Sequence, residues 1–331
     1  MATQDELIQL LNSDPENFGA LHDLALQFYQ DANYAGSFAM AERAIASYEK
    51  EEHADQSYQP PYFDIKRLHA KLQKNHLDQI LGPAFYLLDS QWLPVFKLGR
   101  PRELAWIVNS GNLKHIAPAL NCVQLRRLRF LSIIFEDSVE EALAQFNGVS
   151  MSMLRAINFN FLKMPKMRDF QDFCANCRSE LSSIINMSLR MPRIDNQIAM
   201  LARNAFHALE SLSLTSLDRS GMTAEFCESL ADDPLSNHIM RLGLVGTSIG
   251  NEGLFAIISS ENFASLQALD LHDGILNNGA AKVLAAARNL PHLRTIDLRF
   301  NMIDPAGLEI LKKASMECIT EGQHTRPKGR I

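Results

Sequence analysis

Three stretches in the second half of the chain repeat one pattern, and none of them can bury its own apolar residues. Met240–Gly253, Leu266–Gly279 and Leu293–Gly307 each open with a short run in which every second residue is apolar, then pass into helical spacing. The pairs Leu242/Leu244, Leu269/Leu271 and Ile296/Leu298 fall on one side of a strand, because strand side chains alternate between faces. Five residues after each pair an apolar residue (Ile249, Leu276, Ile303) turns back inward, and a glycine such as Gly307 then opens a helix. One short strand followed by one short helix leaves an apolar face uncovered. Such units are stable only when stacked, so the pattern predicts an α/β solenoid of parallel strands joined by helices.

The register can be followed toward the N-terminus. Leu212/Leu214 follows Leu209, Met187/Leu189 precedes Ile194, Ile157/Phe159 follows Leu154 and Leu128/Phe130 follows Leu125. Phe96/Leu98, after Leu93, is the candidate first copy. Second members of the pairs then fall at 98, 130, 159, 189, 214, 244, 271 and 298, in steps of 25 to 32 residues.

In its last copy, Leu293-x-x-Ile296-x-Leu298-x-x-Asn301-x-Ile303, the chain resembles the leucine-rich-repeat family. With helices after the strands and a step of 27, it is similar to the ribonuclease-inhibitor-like subfamily. The resemblance implies parallel strands on a concave face, helices on a convex face, and an array of seven to eight repeats over 93–315. It also implies that Asn301 bridges neighbouring loop backbones. Thr247, Gly274, Leu217, Pro192, Leu162 and Ile133 stand at that position in the other copies.

Residues 1–60 carry eleven Asp or Glu against Arg43 and Lys50. This acidic segment, on a nearly neutral remainder of a chain of net charge −6, argues against nucleic acid as a partner. Leu7, Ile8, Leu10 and Leu11 predict a first helix. Leu21, Leu24, Ala25 and Phe28 predict a second, and Phe38, Ala41, Ala44 and Ile45 a third. The last two resemble a single tetratricopeptide repeat, and the Leu-Leu-x-x-x-Pro start is similar to the helical companion segment of some bacterial repeat proteins, without its Asp-Trp signature. We read 1–50 as a helical hairpin or cap, 51–61 as a linker ending in Pro60-Pro61, and 62–92 as a helical capping region. Residues 316–331 are read as a polar, basic tail closing the other end.

No apolar run is long enough to span a membrane, and the N-terminus lacks a secretory pattern, so a cytoplasmic, monomeric protein with no membrane partner is expected. Five cysteines, an odd and low number, fit a reducing compartment. Cys174-Ala-Asn-Cys177 is the one spacing suited to metal or thiol chemistry. It lacks a second ligand pair and falls in a helical stretch, so two packed thiols are expected. The glycines of 243–253 lack the Lys-Ser or Lys-Thr of a phosphate loop, and no catalytic motif is present. No enzyme activity, cofactor or metal is therefore expected.

What remains is recognition. Residues alternating with the core leucines must point outward. Those expected to bind a protein partner are Arg127, Arg129, Asn158, Asn160, Arg190, Arg241, Asp270, His272, Asp297 and Arg299. Along this path the charge runs from basic through neutral to largely acidic. A non-enzymatic interaction module is the leading expectation. A regulator of a partner enzyme, such as a GTPase activator, is the alternative that the family resemblance implies.

Overall fold

The structure is a computed structural model. It describes residues 2–50, 60–75, 80, 92–97, 100–122, 125, 128–149, 152–176, 180–219, 221–287 and 289–323. The chain divides into two compact units, Met1–Leu104 with Pro118–Leu128, and Ala105–Ala117 with Arg129–Ile331.

The first unit is built on helices α1 (Gln4–Ser13), α2 (Phe18–Gln30), α3 (Tyr34–Lys50) and α4 (Pro60–Asn75). Thr3 and Glu6 cap α1 reciprocally, and Asn17 caps α2 through the Ala20 amide. Leu21, Ala25, Phe38, Ala41 and Ala44 form a core with Ile65, Leu68 and Leu72 of α4. Small alanines let α2 and α3 approach closely, and the buried Ser37 hydroxyl donates to the Ala25 carbonyl across them at 2.8 Å. The proline pair expected to end a linker instead starts α4, where a missing amide costs nothing. Residues 51–59 of the expected linker lie outside the described residues. Strand β1 (Trp92–Lys97) also belongs to this unit, and the division passes through β2 (Arg100–Val108) and through the helix Ile116–Leu120.

The second unit is an α/β leucine-rich-repeat solenoid. Its further strands are β3 (Phe130–Phe135), β4 (Ala156–Phe161), β5 (Asn186–Met191), β6 (Ser211–Ser216), β7 (Arg241–Val245), β8 (Ala268–Asp270), β9 (Thr295–Asp297) and β10 (Glu317–Ile319). They lie side by side in chain order, and every described pairing from β3 to β10 is parallel. Helices alternate with them: α5 (Ile116–Leu120), α6 (Val139–Ala144), α7 (Met167–Asn176), α8 (Asn196–Ala205), α9 (Ala224–Asp232), α10 (Gly250–Ser259), α11 (Asn278–Ala285) and α12 (Pro305–Leu311).

Pairing places core residues in straight rows. Leu131, Ile157, Met187, Leu212, Leu242, Leu269 and Ile296 are partners in succession, and Ile133, Phe159, Leu189, Leu214 and Leu244 form the next row. All are buried, as are Ile194, Ile249, Leu276 and Ile303, which turn back beneath them. In the early repeats the core is aromatic. Phe135 stacks on Phe161 at 4.6 Å, and Phe159 packs against Phe146 and Phe173. Such pairs each add about 1 kcal/mol beyond the area they bury. Cys174 of α7 is buried beside this cluster, and Cys177 lies outside the described residues.

Three expectations are corrected. The β3 pair is Leu131/Ile133, not Leu128/Phe130, because this parity buries Leu131, Ile133 and Phe135 and turns Ser132 outward. The alternative would bury a hydroxyl. The copy directly before it is β2, which the spacing skipped, with Leu104, Trp106 and Val108 buried, and Val108 accepts from the Glu136 amide as Phe135 accepts from Leu162; Phe96 lies in β1, and Leu98 lies outside the described residues. Finally, the tail expected from residue 316 begins with β10, which continues the sheet on β9. Gln323 then donates to the Leu298 carbonyl and accepts from the Ile303 amide.

Asn301 is fully buried. Its amide donates to the carbonyls of Leu271 and Leu298, and its Oδ1 accepts from the Leu276 amide at 3.0 Å. With the β3 register corrected, Glu136 rather than Ile133 stands at the equivalent position. A second set of asparagines at helix starts joins neighbouring repeats instead. Asn196, Asn251 and Asn278 accept from the backbone amides of Thr223, Asn277 and Asp304, the N-cap residues of α9, α11 and α12.

Asn301→Leu should therefore cost about 3 kcal/mol, since it orphans several buried backbone groups. Leu217→Asn, at the equivalent site two repeats before Gly274, should change stability by less than about 0.5 kcal/mol. Urea unfolding followed by circular dichroism measures both.

Candidate functional site

Rows of side chains between the core rows face away from the core. The first runs Phe130, Ala156, Asn186, Ser211, Arg241, Ala268 and Thr295, and the second Ser132, Asn158, Ser188, Ser213, Gly243, Asp270 and Asp297. A third runs Ile134, Asn160, Arg190, Thr215 and Val245. His272 and Arg299 follow Asp270 and Asp297 by two residues and so extend it. Eight of the ten residues expected on this face thus belong to it. Arg129 does not. It is exposed immediately before β3, and Arg127 lies outside the described residues. On β3 the face carries Phe130, Ser132 and Ile134 in place of Arg129, a consequence of the corrected β3 parity.

Polarity changes along the rows. On β4, Asn158 donates to Ser132 Oγ at 3.1 Å, while Asn160 Oδ1 is shielded from solvent and accepts no hydrogen bond among the described residues. On β5 and β7, Arg190 and Arg241 are exposed, with Arg241 reaching Asn186 Oδ1 at 3.5 Å. Gly243 lies between Ser213 and Asp270 in its row and, having no side chain, leaves a gap there. A shallow groove of about 240 Å³ results, bordered by Ser211, Ser213, Arg241, Asp270, Thr295 and Asp297.

The charged end is internally paired. Arg299 Nε donates to both oxygens of Asp297 at 3.0 and 2.9 Å, and its Nη2 donates at 2.6 Å. Asp270 Oδ1 binds the His272 ring nitrogen at 2.7 Å and accepts from the His272 backbone amide at 3.1 Å. Strand periodicity makes both pairs, because residues i and i+2 share a face. The hydrogen bond to Asp270 raises the His272 pKa against the opposing effect of burial, and the carboxylate charges of Asp270 and Asp297 add to the rise. Burial opposes ionisation of Asp297, but the hydrogen bonds and charge of Arg299 outweigh it and hold its pKa below the ordinary carboxylate range.

Asp270, His272 and Asp297 offer potential ligand atoms within 4.8 Å of one another. Arg299 already holds both Asp297 oxygens and provides the local positive charge, so a divalent cation would have to displace it. The geometry fits an ion-pair network better than a metal centre. Chemically, the His272–Asp270 pair could orient an imidazole, yet among the described residues no Ser, Thr or Cys side chain bonds that ring.

No protein-family model and no curated protein matches the sequence. Solved structures do resemble the fold. A protein from Bacteroides fragilis is similar over 82% of this chain and 87% of its own, at 11% identity and TM-score 0.49. An internalin from Listeria monocytogenes is similar over 62% of this chain and 56% of its own, at 14% identity and TM-score 0.36. A chain from the yeast Rad7–Elc1 complex is similar over 78% of this chain and 91% of its own, at 15% identity and TM-score 0.32.

His272 keeps its proton to higher pH when folded than the unfolded value of about 6.5. Its contribution to stability is thus fully present below that value, declines as pH rises toward the folded pKa, and is lost above it. Asp270→Asn should lower the His272 titration midpoint, read by NMR of the imidazole, and flatten this decline. An unchanged midpoint would contradict the pairing.

Proposed function

We propose that the outward face of β4–β9 is a non-enzymatic docking surface for another protein. The observation that carries the reading is the contrast between its charged end and its middle. Asp270, Asp297 and Arg299 are satisfied by internal pairs, whereas Arg190 and Arg241 stand exposed without an ion-pair partner among the described residues. Arginine in such a setting can hold a partner carboxylate through two parallel hydrogen bonds. The strands hold these groups in place before binding, which lowers the ordering cost of association.

The partner class is a protein whose contacting surface presents carboxylates toward Arg190 and Arg241. The Gly243 groove gives it a place for a small or narrow side chain between them. No helix among the described residues is long and apolar enough to cross a membrane.

Reversal of charge at Arg190→Glu with Arg241→Glu should weaken capture of the partner by about thirty-fold or more, the size expected for buried interfacial arginines. Circular dichroism should remain unchanged. The melting temperature should hold while partner affinity falls. Retained binding in the folded double variant would move the interface away from this face.

A further inference from the structure

Where the ladder asparagine is replaced, apolar side chains come to the surface. Leu162 and Leu217 stand at the position of Asn301, three residues after the core residues Phe159 and Leu214. Asn301 can turn inward because its amide bonds the backbone, whereas a leucine there has no such bond to make. Leu162 is 50% exposed and Leu217 44% exposed. Pro192 holds the same position in the repeat between them, and its neighbour Arg193 donates its backbone amide to Met164 Sδ at 3.4 Å. Met164 is itself 39% exposed. The backbone amides of Leu162, Leu217 and Asp218 bond to the preceding repeats at Phe135, Met191 and Pro192, so the three loops are held in sequence. At about 4.8 Å per strand, the ridge from Leu162 to Leu217 is about 10 Å long.

Positive charge lies beside the ridge. Lys163 and Arg193 are exposed and form no ion pair among the described residues. We propose that this loop edge, distinct from the outward sheet face, binds an acidic, leucine-bearing segment of a partner protein. Leucines of the segment cover the ridge and its carboxylates meet Lys163 and Arg193. Charge complementarity selects the acid, and the length of the ridge matches two turns of a helix, whose residues i and i+7 lie about 10.5 Å apart. A helical segment can turn its carboxylates toward Lys163 and Arg193 and away from Asp218, exposed next to Leu217, which a uniformly anionic membrane surface cannot do.

The test uses the full chain and a fluorescein-labelled peptide of about 14 residues, with leucines at helical spacing among glutamates. A peptide with the same leucines among lysines is the control. Fluorescence anisotropy should show binding of the glutamate peptide, weakened by added salt, and at least tenfold weaker binding of the lysine peptide. Lys163→Glu with Arg193→Glu should reduce binding at least tenfold. Leu162→Asn with Leu217→Asn should do the same while keeping the fold, because asparagine is the residue the ladder position accommodates. The proposal is overturned by equal binding of both peptides, by failure of the glutamate peptide to bind, or by unchanged affinity in the folded variants. Recruitment to phosphatidylserine vesicles without peptide binding would overturn it in favour of a lipid surface.

Discussion

An isolated strand and helix of this chain cannot remove their leucines from water, and every larger feature of the second unit follows from that shortage. Side-by-side pairing of β3 to β10 lines up Leu131 through Ile296 in one row and Ile133 through Leu244 in another. Each repeat then supplies a wall for its neighbours. Pleating does the rest. Once alternate side chains are committed inward, the intervening ones must stand in parallel rows on the other face. The docking surface is therefore a by-product of burial, and its residues are positioned by the core they do not join.

How much of this was legible depended on local contrast. In β6, Ser211-Leu-Ser-Leu-Thr alternates cleanly, and only one parity is compatible with burial. In β3, Phe130-Leu-Ser-Ile-Ile-Phe is apolar on both faces, and Leu125-x-x-Leu128-x-Phe130 mimics the repeat three residues too early. Ser132 was the deciding signal, because only the correct parity leaves its hydroxyl outside the core. The same shift removed Arg129 from the face. β2 was missed because Arg102-Glu-Leu-Ala-Trp-Ile-Val does not carry the leucine spacing, although Leu104, Trp106 and Val108 alternate as a strand requires. β10 was hidden by its length of three residues and by polar neighbours.

The asparagine position was informative in a different way. Loss of the side chain predicts an irregular array, yet the neighbouring repeats remain joined through Asn196, Asn251 and Asn278 at the helix starts. Polar satisfaction has moved from the strand ends to the helix caps. One consequence is that Leu162 and Leu217 are released from a structural duty and exposed. A chain that only needed to fold would gain little from such leucines. Internal pairing of Asp297 with Arg299 has the opposite sense: it neutralises the charged end of the face and leaves the central arginines as its most available cations.

The stacked, in-register sheet is most directly tested by distances between spin labels introduced through an unnatural amino acid, which spares the native cysteines. Ser132, Ser213 and Asp297 belong to one outward row, separated from the first by three and six strands. Pulsed electron paramagnetic resonance on the Ser132–Ser213 and Ser132–Asp297 pairs should give separations that grow with strand number, near 14 and 29 Å before label length and curvature are added. A Ser132–Asp297 separation equal to or shorter than the Ser132–Ser213 one would contradict the side-by-side order, and with it the surface on which recognition is proposed.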